Sequence, residues 1–489
     1  MNIRVPRLLV AGLSGDSGKT IASLSLLTAL RQKGLAIAVF KKGPDYIDAA
    51  WLTRFAGSEA RNLDTYLAGR DKVRRTFTAA ARRADFALIE GNRGIFDGKD
   101  VEGTHSTAEL AKLLEVPVVL VVNATKATRT LAALVKGCID FDPEVNIAGV
   151  ILNKVAGRRH EKIITATLEK YCNVPVLGVI PKLDRDGALL PGRHLGLITP
   201  FEFKSEALLQ QHLSQIAGDY LDIDSLTALA ESAVELETDD ETTLPTKKPT
   251  VRVGYFKDAV FTFYYPENLE ALHREGAELV PVSSLEDKKL PEIDALYIGG
   301  GFPETHAEKL VKNDSLMRAV RDAVENGLPV YAECGGLIYL SRSLTWHGQR
   351  YPMAGVFPVE LAMNTKPAGH GYTLMRADRP NPFFEPGTTL RGHEFHYSTV
   401  TGRFDDAATC LSVQTGFGLG QQRDGLLYKN CLACYMHLHA DGAEMWAPAM
   451  VASAASYRKS ENRGKDVANK KVSDPRPILK TCRLAEAMD

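Results

Sequence analysis

The glycine-rich stretch Ala11-Gly-Leu-Ser-Gly-Asp-Ser-Gly-Lys-Thr20 is the first part of the chain whose residue types could do chemistry. An apolar run precedes it and a helical pattern follows it, which is the strand–turn–helix context of a phosphate-binding loop. In such a loop the backbone N–H groups face a polyphosphate, a lysine adds charge and a hydroxyl can hold Mg²⁺. The residues predicted to bind ATP here are Gly15, Ser17, Gly18, Lys19 and Thr20.

Carboxylates follow two further apolar runs. Asp45 and Asp48 lie in Phe40-Lys-Lys-Gly-Pro-Asp-Tyr-Ile-Asp48, and Glu90 ends the run Phe86-Ala-Leu-Ile-Glu90. The carboxyl ends of parallel strands meet at one edge of a sheet, so we expect Thr20, Asp48 and Glu90 to hold Mg²⁺ beside the loop. A Gly-Pro turn with solvated aspartates is the alternative interpretation of Asp45 and Asp48.

Three more residues are candidates for nucleotide contacts. Asn153 ends another apolar run, where its amide could bond the purine edge or simply form a turn. Arg193 and His194 lie in Pro191-Gly-Arg-His-Leu-Gly196, a loop that could face either the nucleotide or the solvent. We include all three in the predicted nucleotide site.

Cys334 is the candidate nucleophile in the second half of the chain. It interrupts the stretch Gly327-Leu-Pro-Val-Tyr-Ala-Glu-Cys-Gly-Gly336, whose last two glycines permit a tight turn into a helix. We expect the helix N-terminus to lower the pKa of this thiol, which suits a nucleophile. A buried structural cysteine is the alternative, but it would not require a strand–Gly–Gly–helix turn.

A cysteine nucleophile also needs a base and an oxyanion site. His437 and His439 in Tyr435-Met-His-Leu-His439 are two positions apart, so a strand would place both on one face. A strand that ends in three consecutive glycines could supply backbone N–H groups to an oxyanion. These glycines are Gly299, Gly300 and Gly301.

The composition is that of a globular protein with more than one domain. The chain has 489 residues, of which 45% are hydrophobic and 24% charged, and its formal net charge is −1. Two or three domains are expected, with neither nucleic acid nor membrane as a partner. No run of about 18 apolar residues is present, and the N-terminal apolar segment is too short for a secretory signal. Seven scattered cysteines do not make a disulfide framework, so we expect a cytoplasmic protein.

Apolar runs alternate with helical patterns in both halves of the chain. Over residues 1–232 this rhythm predicts βα units around a parallel sheet. Residues 233–250 are polar and predict a linker, residues 251–450 predict a second α/β domain, and residues 451–489 predict a flexible tail. The predicted strands are Ala36–Phe40, Phe86–Glu90, Val116–Val122, Ile147–Asn153, Val174–Ile180, Val251–Tyr255, Ala295–Gly299 and Pro329–Ala332.

Taken in order, these motifs resemble those of the cobyrinic acid a,c-diamide synthase family. The matching stretches span residues 7–440 and are GLSGDSGKT, KKGPDYID, RNLDTYL (Arg61–Leu67), IEGNRGIFDG, LNKV, PGRHLGL, IGGGFPE, YAECGG, GHEFHYS and YMHLH. The resemblance implies an α/β protein with a dethiobiotin-synthetase-like, P-loop parallel-sheet domain followed by a class I (triad) glutamine amidotransferase domain. Leu13, which stands where a phosphate-binding loop usually has glycine, is a feature of dethiobiotin-synthetase-like domains. Asn92 and Arg93 depart from the small or apolar residues that are common in the family.

The resemblance implies ATP- and glutamine-dependent amidation of the a and c carboxylates of cobyrinate, through acyl phosphates, in cobalamin biosynthesis. The small-molecule partners would be a corrinoid, glutamine and ATP with Mg²⁺, and the family allows a homodimer. Cys334 would attack glutamine, His437 would move protons, and Asp45, Asp48 and Asp97 would act near the γ-phosphate. His439 stands where ordinary class I glutaminases carry an orienting carboxylate, so the third member of the triad stays open.

Other functions fit the motifs less well. A partitioning or regulatory P-loop ATPase needs an extra lysine early in the loop, and Leu13–Ser17 contains none. A binding module with an inactive glutaminase domain would not need Cys334 with paired histidines. Another tetrapyrrole, such as nickel-sirohydrochlorin or hydrogenobyrinate, is an alternative substrate that these motifs do not separate from cobyrinate.

Overall fold

The first domain is a layered α/β domain in which helices cover both faces of a parallel sheet. The computed structural model describes residues 2–183, 192–193, 196–237, 246–402 and 404–472. The strands of this domain are β1 (Asn2–Ile3), β2 (Arg7–Gly12), β3 (Ile37–Lys42), β4 (Arg61–Leu63), β5 (Phe86–Glu90), β6 (Val118–Asn123), β7 (Ile147–Val155), β8 (Val176–Pro181), β9 (Gly192–Arg193), β10 (Gly196–Leu197) and β11 (Leu236–Glu237). Its helices are α1 (Lys19–Gln32), α2 (Tyr46–Ala56), α3 (Arg70–Ala81), α4 (Thr107–Leu113), α5 (Arg129–Phe141), α6 (Arg158–Cys172), α7 (Glu206–Tyr220) and α8 (Ile223–Glu231).

Within the described residues, the main sheet has the strand order β4-β3-β5-β2-β6-β7-β8, and every pair is parallel. Along β2, Leu9 and Ala11 pack into one hydrophobic layer, and Leu8 and Val10 pack into the other. Burial on both faces explains why these strands read as continuous apolar runs. The carboxyl ends of β2, β3 and β5 are neighbours, which brings the phosphate-binding loop and the predicted carboxylates to one edge. The predicted parallel sheet is confirmed.

The predicted strands are all present, and their ends differ from the prediction by two residues at most. The start of the predicted linker, however, belongs to the first domain. Leu236 is fully buried, and Leu236–Glu237 pairs with Asn2–Ile3. Hydrogen bonds to the N-terminal strand β1 hold this segment. The polar composition of the segment does not by itself indicate this pairing. Residues 238–245 lie outside the described residues.

The second domain is built around a mixed sheet. Its strands are β12 (Val251–Phe256), β13 (Phe261–Phe263), β14 (Ala277–Val282), β15 (Ala295–Ile298), β16 (Gly300–Gly301), β17 (Val330–Glu333), β18 (Ser343–Trp346), β19 (Gln349–Pro352), β20 (Glu360–Met363), β21 (Gly369–Ala377), β22 (Thr389–His396), β23 (Ser398–Val400), β24 (Thr409–Thr415), β25 (Arg423–Tyr428), β26 (Cys431–Cys434) and β27 (His437–Leu438). Its helices are α9 (Pro266–Arg274), α10 (Ala307–Val311), α11 (Asp314–Glu325), α12 (Gly335–Leu340) and α13 (Trp446–Val472).

The bend of this mixed sheet places the candidate base beside Glu333, the residue that precedes the candidate nucleophile. Among the described residues its strand order is β14-β12-β15-β17-β26-β25-β24-β21-β22-β27, with β14 to β26 parallel and the rest antiparallel. β26 ends at Cys434 and β27 begins at His437, although the two strands are far apart in the sheet order. The sheet therefore curls, and His437 returns to the end of β17, next to Glu333.

Helix α13 includes residues 451–472 of the predicted tail, and the flexibility of that tail stays a prediction. It runs from Trp446 to Val472, and Trp446, Met450 and Ala454 form a buried stripe against β12 and β15. One apolar stripe is enough to dock a helix. Residues 473–489 lie outside the described residues. None of the described helices is both long and apolar enough to cross a membrane.

The two domains meet in a cluster of four tyrosine side chains and one leucine side chain. The cluster consists of Tyr46, Tyr66, Leu67, Tyr265 and Tyr372. Tyr66 Oη donates a hydrogen bond to the carbonyl oxygen of Thr373 (3.0 Å), and Tyr372 Oη donates to Asp64 Oδ2 (2.8 Å). The RNLDTYL motif thus attaches the first domain to strand β21 of the second.

Candidate active site

The phosphate-binding loop lies between β2 and α1, as predicted. Helix α1 begins at Lys19, directly after Gly18, whose φ of 97° is in the left-handed region. A side chain at Gly18 would also collide with Asn153, because a Cβ there would lie 2.0 Å from Asn153 Nδ2. Lys19 Nζ donates to the carbonyl oxygens of Ser14 (3.0 Å) and Arg93 (2.9 Å). The lysine therefore lies across the mouth of the loop.

Lys41, which the sequence analysis did not single out, joins the three predicted metal ligands. Its Nζ donates to Asp48 Oδ2 (2.6 Å), Glu90 Oε1 (2.8 Å) and the Gly91 carbonyl oxygen (3.1 Å). Thr20 Oγ1 donates to the same oxygen of Glu90 (3.1 Å). Burial alone would lower the pKa of Lys41, but the carboxylates of Asp48 and Glu90 raise it above its ordinary value. Lys41 thus offsets part of the negative charge of two adjacent carboxylates.

Asp45 and Asp97 border the same region through backbone contacts. Asp45 Oδ1 accepts from the N–H of Asp48 (2.9 Å) and caps α2, and Asp97 Oδ2 accepts from the N–H of Gly94 (2.8 Å). Burial, together with the neighbouring Asp48 carboxylate, raises the pKa of Asp45. Asp45 therefore holds a proton more readily than an exposed aspartate does.

The residues predicted to contact the nucleotide lie in different parts of the structure. Ser17 Oγ donates to the Ser14 carbonyl oxygen (2.9 Å), and Gly15 lies in the exposed turn of the loop. Asn153 Nδ2 donates to the Ser17 carbonyl oxygen (3.0 Å), so this amide supports the loop, and its contact with a purine stays a prediction. Arg193 lies in β9. His194 lies outside the described residues.

Cys334 lies at the turn between β17 and α12, as predicted. Its φ of 47° and ψ of −97° are strained for a residue other than glycine, and such strain is concentrated at functional sites. The prediction that the helix N-terminus lowers the pKa of this thiol is wrong. Burial and the nearby Glu304 carboxylate raise the pKa of the thiol, although the N–H of Gly335 lowers it. The sulfur is therefore a thiol at neutral pH and needs a base.

Glu333, the residue before the nucleophile, orients His437. Glu333 Oε2 lies 3.5 Å from His437 Nδ1 and accepts from Tyr297 Oη (3.0 Å), and Glu333 Oε1 accepts from the N–H of Leu438 (3.1 Å). The carboxylate is fully buried, holds the backbone of the histidine segment through Leu438 and lies within ion-pair distance of the His437 ring. A base held by a carboxylate is the arrangement that activates a cysteine nucleophile.

His439 does not occupy the place of the triad carboxylate. Its Nε2 lies 3.6 Å from Glu267 Oε2, and its Nδ1 accepts from the N–H of Asp441 (3.3 Å). Burial lowers the pKa of His439, but Glu267 outweighs it and the pKa is raised. Strand β27 ends at Leu438, so His437 and His439 face different partners.

Of the three glycines predicted as an oxyanion site, Gly300 and Gly301 lie at the nucleophile. The N–H of Gly299 donates to Tyr264 Oη (2.9 Å) and is already satisfied, which removes Gly299 from the predicted site. A Cβ on Gly335 would lie 2.9 Å from Gly301 N, and a Cβ on Gly300 would lie 2.4 Å from His437 Cε1. Gly300 and Gly301 therefore lie between the cysteine turn and the base.

A cavity of about 550 Å³ lies between the two domains and borders both candidate sites. Asp45, Tyr46 and Asp97 line it from the first domain, and His393 and His437 line it from the second. The ring of Tyr46 lies 5.4 Å from that of His437, and the ring of His393 stacks on His437 at 4.9 Å. The residues that the sequence places in separate halves thus border one space.

Known proteins match the chain over both domains. Residues 8–193 match the CobQ/CobB/MinD/ParA nucleotide binding domain, and residues 252–445 match the CobB/CobQ-like glutamine amidotransferase domain. A cobyrinate a,c-diamide synthase of Magnetococcus marinus is 43% identical over 92% of this chain and 97% of its own length. Those of Archaeoglobus fulgidus and Methanosarcina barkeri are 41% and 35% identical, over 89% and 93% of this chain and 94% and 97% of their own lengths.

The chain belongs to the cobyrinate a,c-diamide synthase family. The resemblance inferred from the ordered motifs is confirmed. Within this member of the cobyrinate a,c-diamide synthase family, Lys41 and Glu333 are the site residues that sequence reasoning missed. Each is a charged residue at the end of an apolar strand, and such residues are almost never fully buried unless they are paired. A charged residue at the end of an apolar strand was therefore the sequence signal that could have identified both Lys41 and Glu333.

Proposed function

We propose that this chain is a cobyrinate a,c-diamide synthase that takes ammonia from glutamine and activates carboxylates with ATP. The observation that carries the proposal is the shared cavity, which Asp45 and Asp97 line from the domain of the phosphate-binding loop and His437 lines from the domain of Cys334. Relatives that match nearly the whole chain are named for cobyrinate, so cobyrinate is the substrate that we propose.

The glutaminase half of the reaction uses Cys334 and His437. His437 takes the proton from Sγ as the sulfur attacks the amide carbon of glutamine, and the N–H groups at Gly300 and Gly301 stabilise the oxyanion. His437 returns the proton to the amide nitrogen, the C–N bond breaks, and ammonia leaves a thioester. Water then hydrolyses the thioester to glutamate and restores the thiol. Glu333 stabilises the imidazolium that forms on the way.

The synthetase half uses the phosphate-binding loop. A carboxylate oxygen of cobyrinate attacks the γ-phosphorus of ATP, ADP leaves, and ammonia displaces phosphate from the acyl phosphate to form the amide. A second round amidates the other carboxylate. Lys19 binds the phosphates, and Asp48 and Asp97 position the reactants. Asp45, whose pKa is raised, suits the role of accepting the proton that ammonia loses.

The residues beside the loop fit a magnesium ion. Glu90 Oε2 is buried and has no hydrogen bond within the described residues, and Thr20 Oγ1 lies 3.1 Å from the other oxygen of that carboxylate. Hydroxyl and carboxylate oxygens are ligands that Mg²⁺ accepts beside substrate phosphates, so Thr20, Asp48 and Glu90 would hold it. When bound, the ion would neutralise charge on the phosphate oxygens.

Cations at the cavity suit a substrate that carries several carboxylates. Lys42 is buried in the cavity wall, and Arg93 and Lys99 are exposed at its edge. Burial lowers the pKa of Lys42, and a carboxylate bound there would oppose that decrease and pair with the ammonium group. We place the reaction in the cytoplasm, because the six cysteines in the described ranges are free thiols.

Purified enzyme incubated with cobyrinate, ATP, Mg²⁺ and glutamine tests the proposal, with the number of amides counted by mass spectrometry. We expect the diamide, and slower conversion of hydrogenobyrinate and nickel-sirohydrochlorin. Cobyrinate that keeps all its carboxylates in the presence of folded enzyme would refute the proposal. Faster amidation of another tetrapyrrole would change the substrate and leave the two half-reactions in place.

A further inference from the structure

A set of ion pairs joins the first domain to helix α9 of the second domain. Arg61, the first residue of β4, donates to Glu267 Oε1 (3.1 Å) and to both carboxylate oxygens of Glu270 (2.6 and 3.1 Å). The side chains of Arg61 and Glu267 are 23% and 5% exposed. This pair is therefore shielded from water, unlike an ordinary surface ion pair.

The first turn of α9 holds the backbone that follows His437. Asn268, which is fully buried, donates to the Leu438 carbonyl oxygen (3.0 Å) and accepts from the N–H of Ala440 (2.7 Å). Glu267 Oε2 lies 3.6 Å from His439 Nε2. Two adjacent side chains of α9 thus fix residues 438–440 from one side.

A second route runs from α9 to the ring of His437. Asn268 Nδ2 also lies 3.2 Å from Tyr297 Oη, which donates to Glu333 Oε2 (3.0 Å), and that oxygen lies 3.5 Å from His437 Nδ1. Tyr297 and Glu333 are fully buried, so water cannot replace a lost partner. The orientation of His437 therefore depends on where α9 sits.

We propose that Arg61 is a positioning residue of the glutaminase, which acts across the domain interface through Glu267. Arg61 holds α9 where Asn268 and Tyr297 keep His437 against Glu333. Docking of the synthetase domain thereby sets the rate of glutamine hydrolysis, and the RNLDTYL motif serves the glutaminase as well as the interface. The proposal rests on the proposed function only for the roles of Cys334 and His437.

Arg61→Gln in the full chain tests this role. We expect kcat for glutamine hydrolysis to fall about tenfold or more, the scale of a small displacement of a catalytic group. KM for glutamine and diamide formation from added ammonium should change little, because Arg61 does not line the cavity. Arg54→Gln is the matched control, since it breaks an Arg–Glu pair with Glu206 inside the first domain and should leave both rates unchanged.

Two further variants separate positioning from general damage to the fold. Arg61→Lys should recover part of kcat, because one ammonium can still pair with Glu267. Glu267→Gln should lower kcat as well, and the double variant should lose less than the product of the two single effects. A wild-type kcat in Arg61→Gln, equal loss of ammonium-driven synthesis, or multiplicative single effects would overturn the proposal. An enzyme that hydrolyses glutamine but never amidates cobyrinate would refute the proposed function and still report on Arg61.

Discussion

Lys41→Met should destabilise the first domain by several kcal/mol. Lys41 is 1% exposed, and its Nζ lies 2.6 Å from Asp48 and 2.8 Å from Glu90. Methionine keeps the length of the side chain but leaves two carboxylates facing each other in a site shielded from water. Removing one partner of a buried ion pair costs about 3–5 kcal/mol. At about 2–4 °C per kcal/mol for a domain of this size, Tm should fall by about 6–20 °C.

Guanidinium unfolding followed by tryptophan fluorescence measures this loss, because Trp51 is buried in the same helix as Asp48. Lys33→Met is the control. Lys33 also pairs with a carboxylate at 2.6 Å, that of Asp224, but the two side chains are 48% and 91% exposed. Its loss should cost at most about 1 kcal/mol.

The pH dependence of the stability that Lys41→Met loses, called the deficit below, gives a second test of this reasoning. Burial already raises the pKa of Glu90, and Lys41 opposes that rise. Without Lys41, Glu90 takes up a proton more readily, so the deficit should shrink as pH falls and grow as pH rises. Glu90→Gln added to Lys41→Met should recover part of the loss. A deficit no larger than that of Lys33→Met would refute the reasoning, since it would mean that the carboxylates need no buried cation.

Four other variants test separate parts of the site. Cys334→Ser should lose glutamine-dependent amidation by several orders of magnitude, and excess ammonium should restore the diamide; retained glutamine use would move the nucleophile elsewhere. Lys19→Ala should abolish synthesis while glutamine hydrolysis continues, so full amidation by this variant would rule out the loop as the ATP site. Asp48→Asn should lower the amidation rate far more than the affinity for ATP measured by calorimetry, and a parallel loss would make Asp48 a simple ligand. The pKa of His439 is raised, so its ion pair with Glu267 stabilises the fold fully below about pH 6.5, and this contribution is lost as pH rises through the raised pKa. The free energy of unfolding of His439→Gln should therefore lack this decrease with rising pH.

Local features of the site were predictable from the sequence. The strand–loop–helix at Lys19 and the strand–turn–helix at Cys334 are each encoded in about ten consecutive residues, because glycine positions and hydrophobic periodicity act over short range. The same is true of β5, whose predicted ends match the structure. The order of such motifs was enough to predict the family.

The environment of individual groups was not predictable in the same way. The helix N-terminus at Cys334 favours a thiolate, yet burial outweighs it and raises the pKa. The N–H of Gly299 is satisfied by a hydroxyl 35 positions away, and Asn153 bonds a carbonyl oxygen 136 positions away. Each of these partners comes from an element that the local pattern does not contain.

The sequence by itself determined the two α/β domains, the phosphate-binding loop, the cysteine turn and the family, because these depend on neighbouring residues. Only the tertiary structure decided that Lys41 joins Glu90, 49 positions along the chain, and that Arg61 meets Glu267, 206 positions along. It also decided that Glu333 lies beside the ring of His437, whereas His439 lies beside Glu267. A buried charge is stable only beside its partner, and the packing of distant elements sets which partner that is.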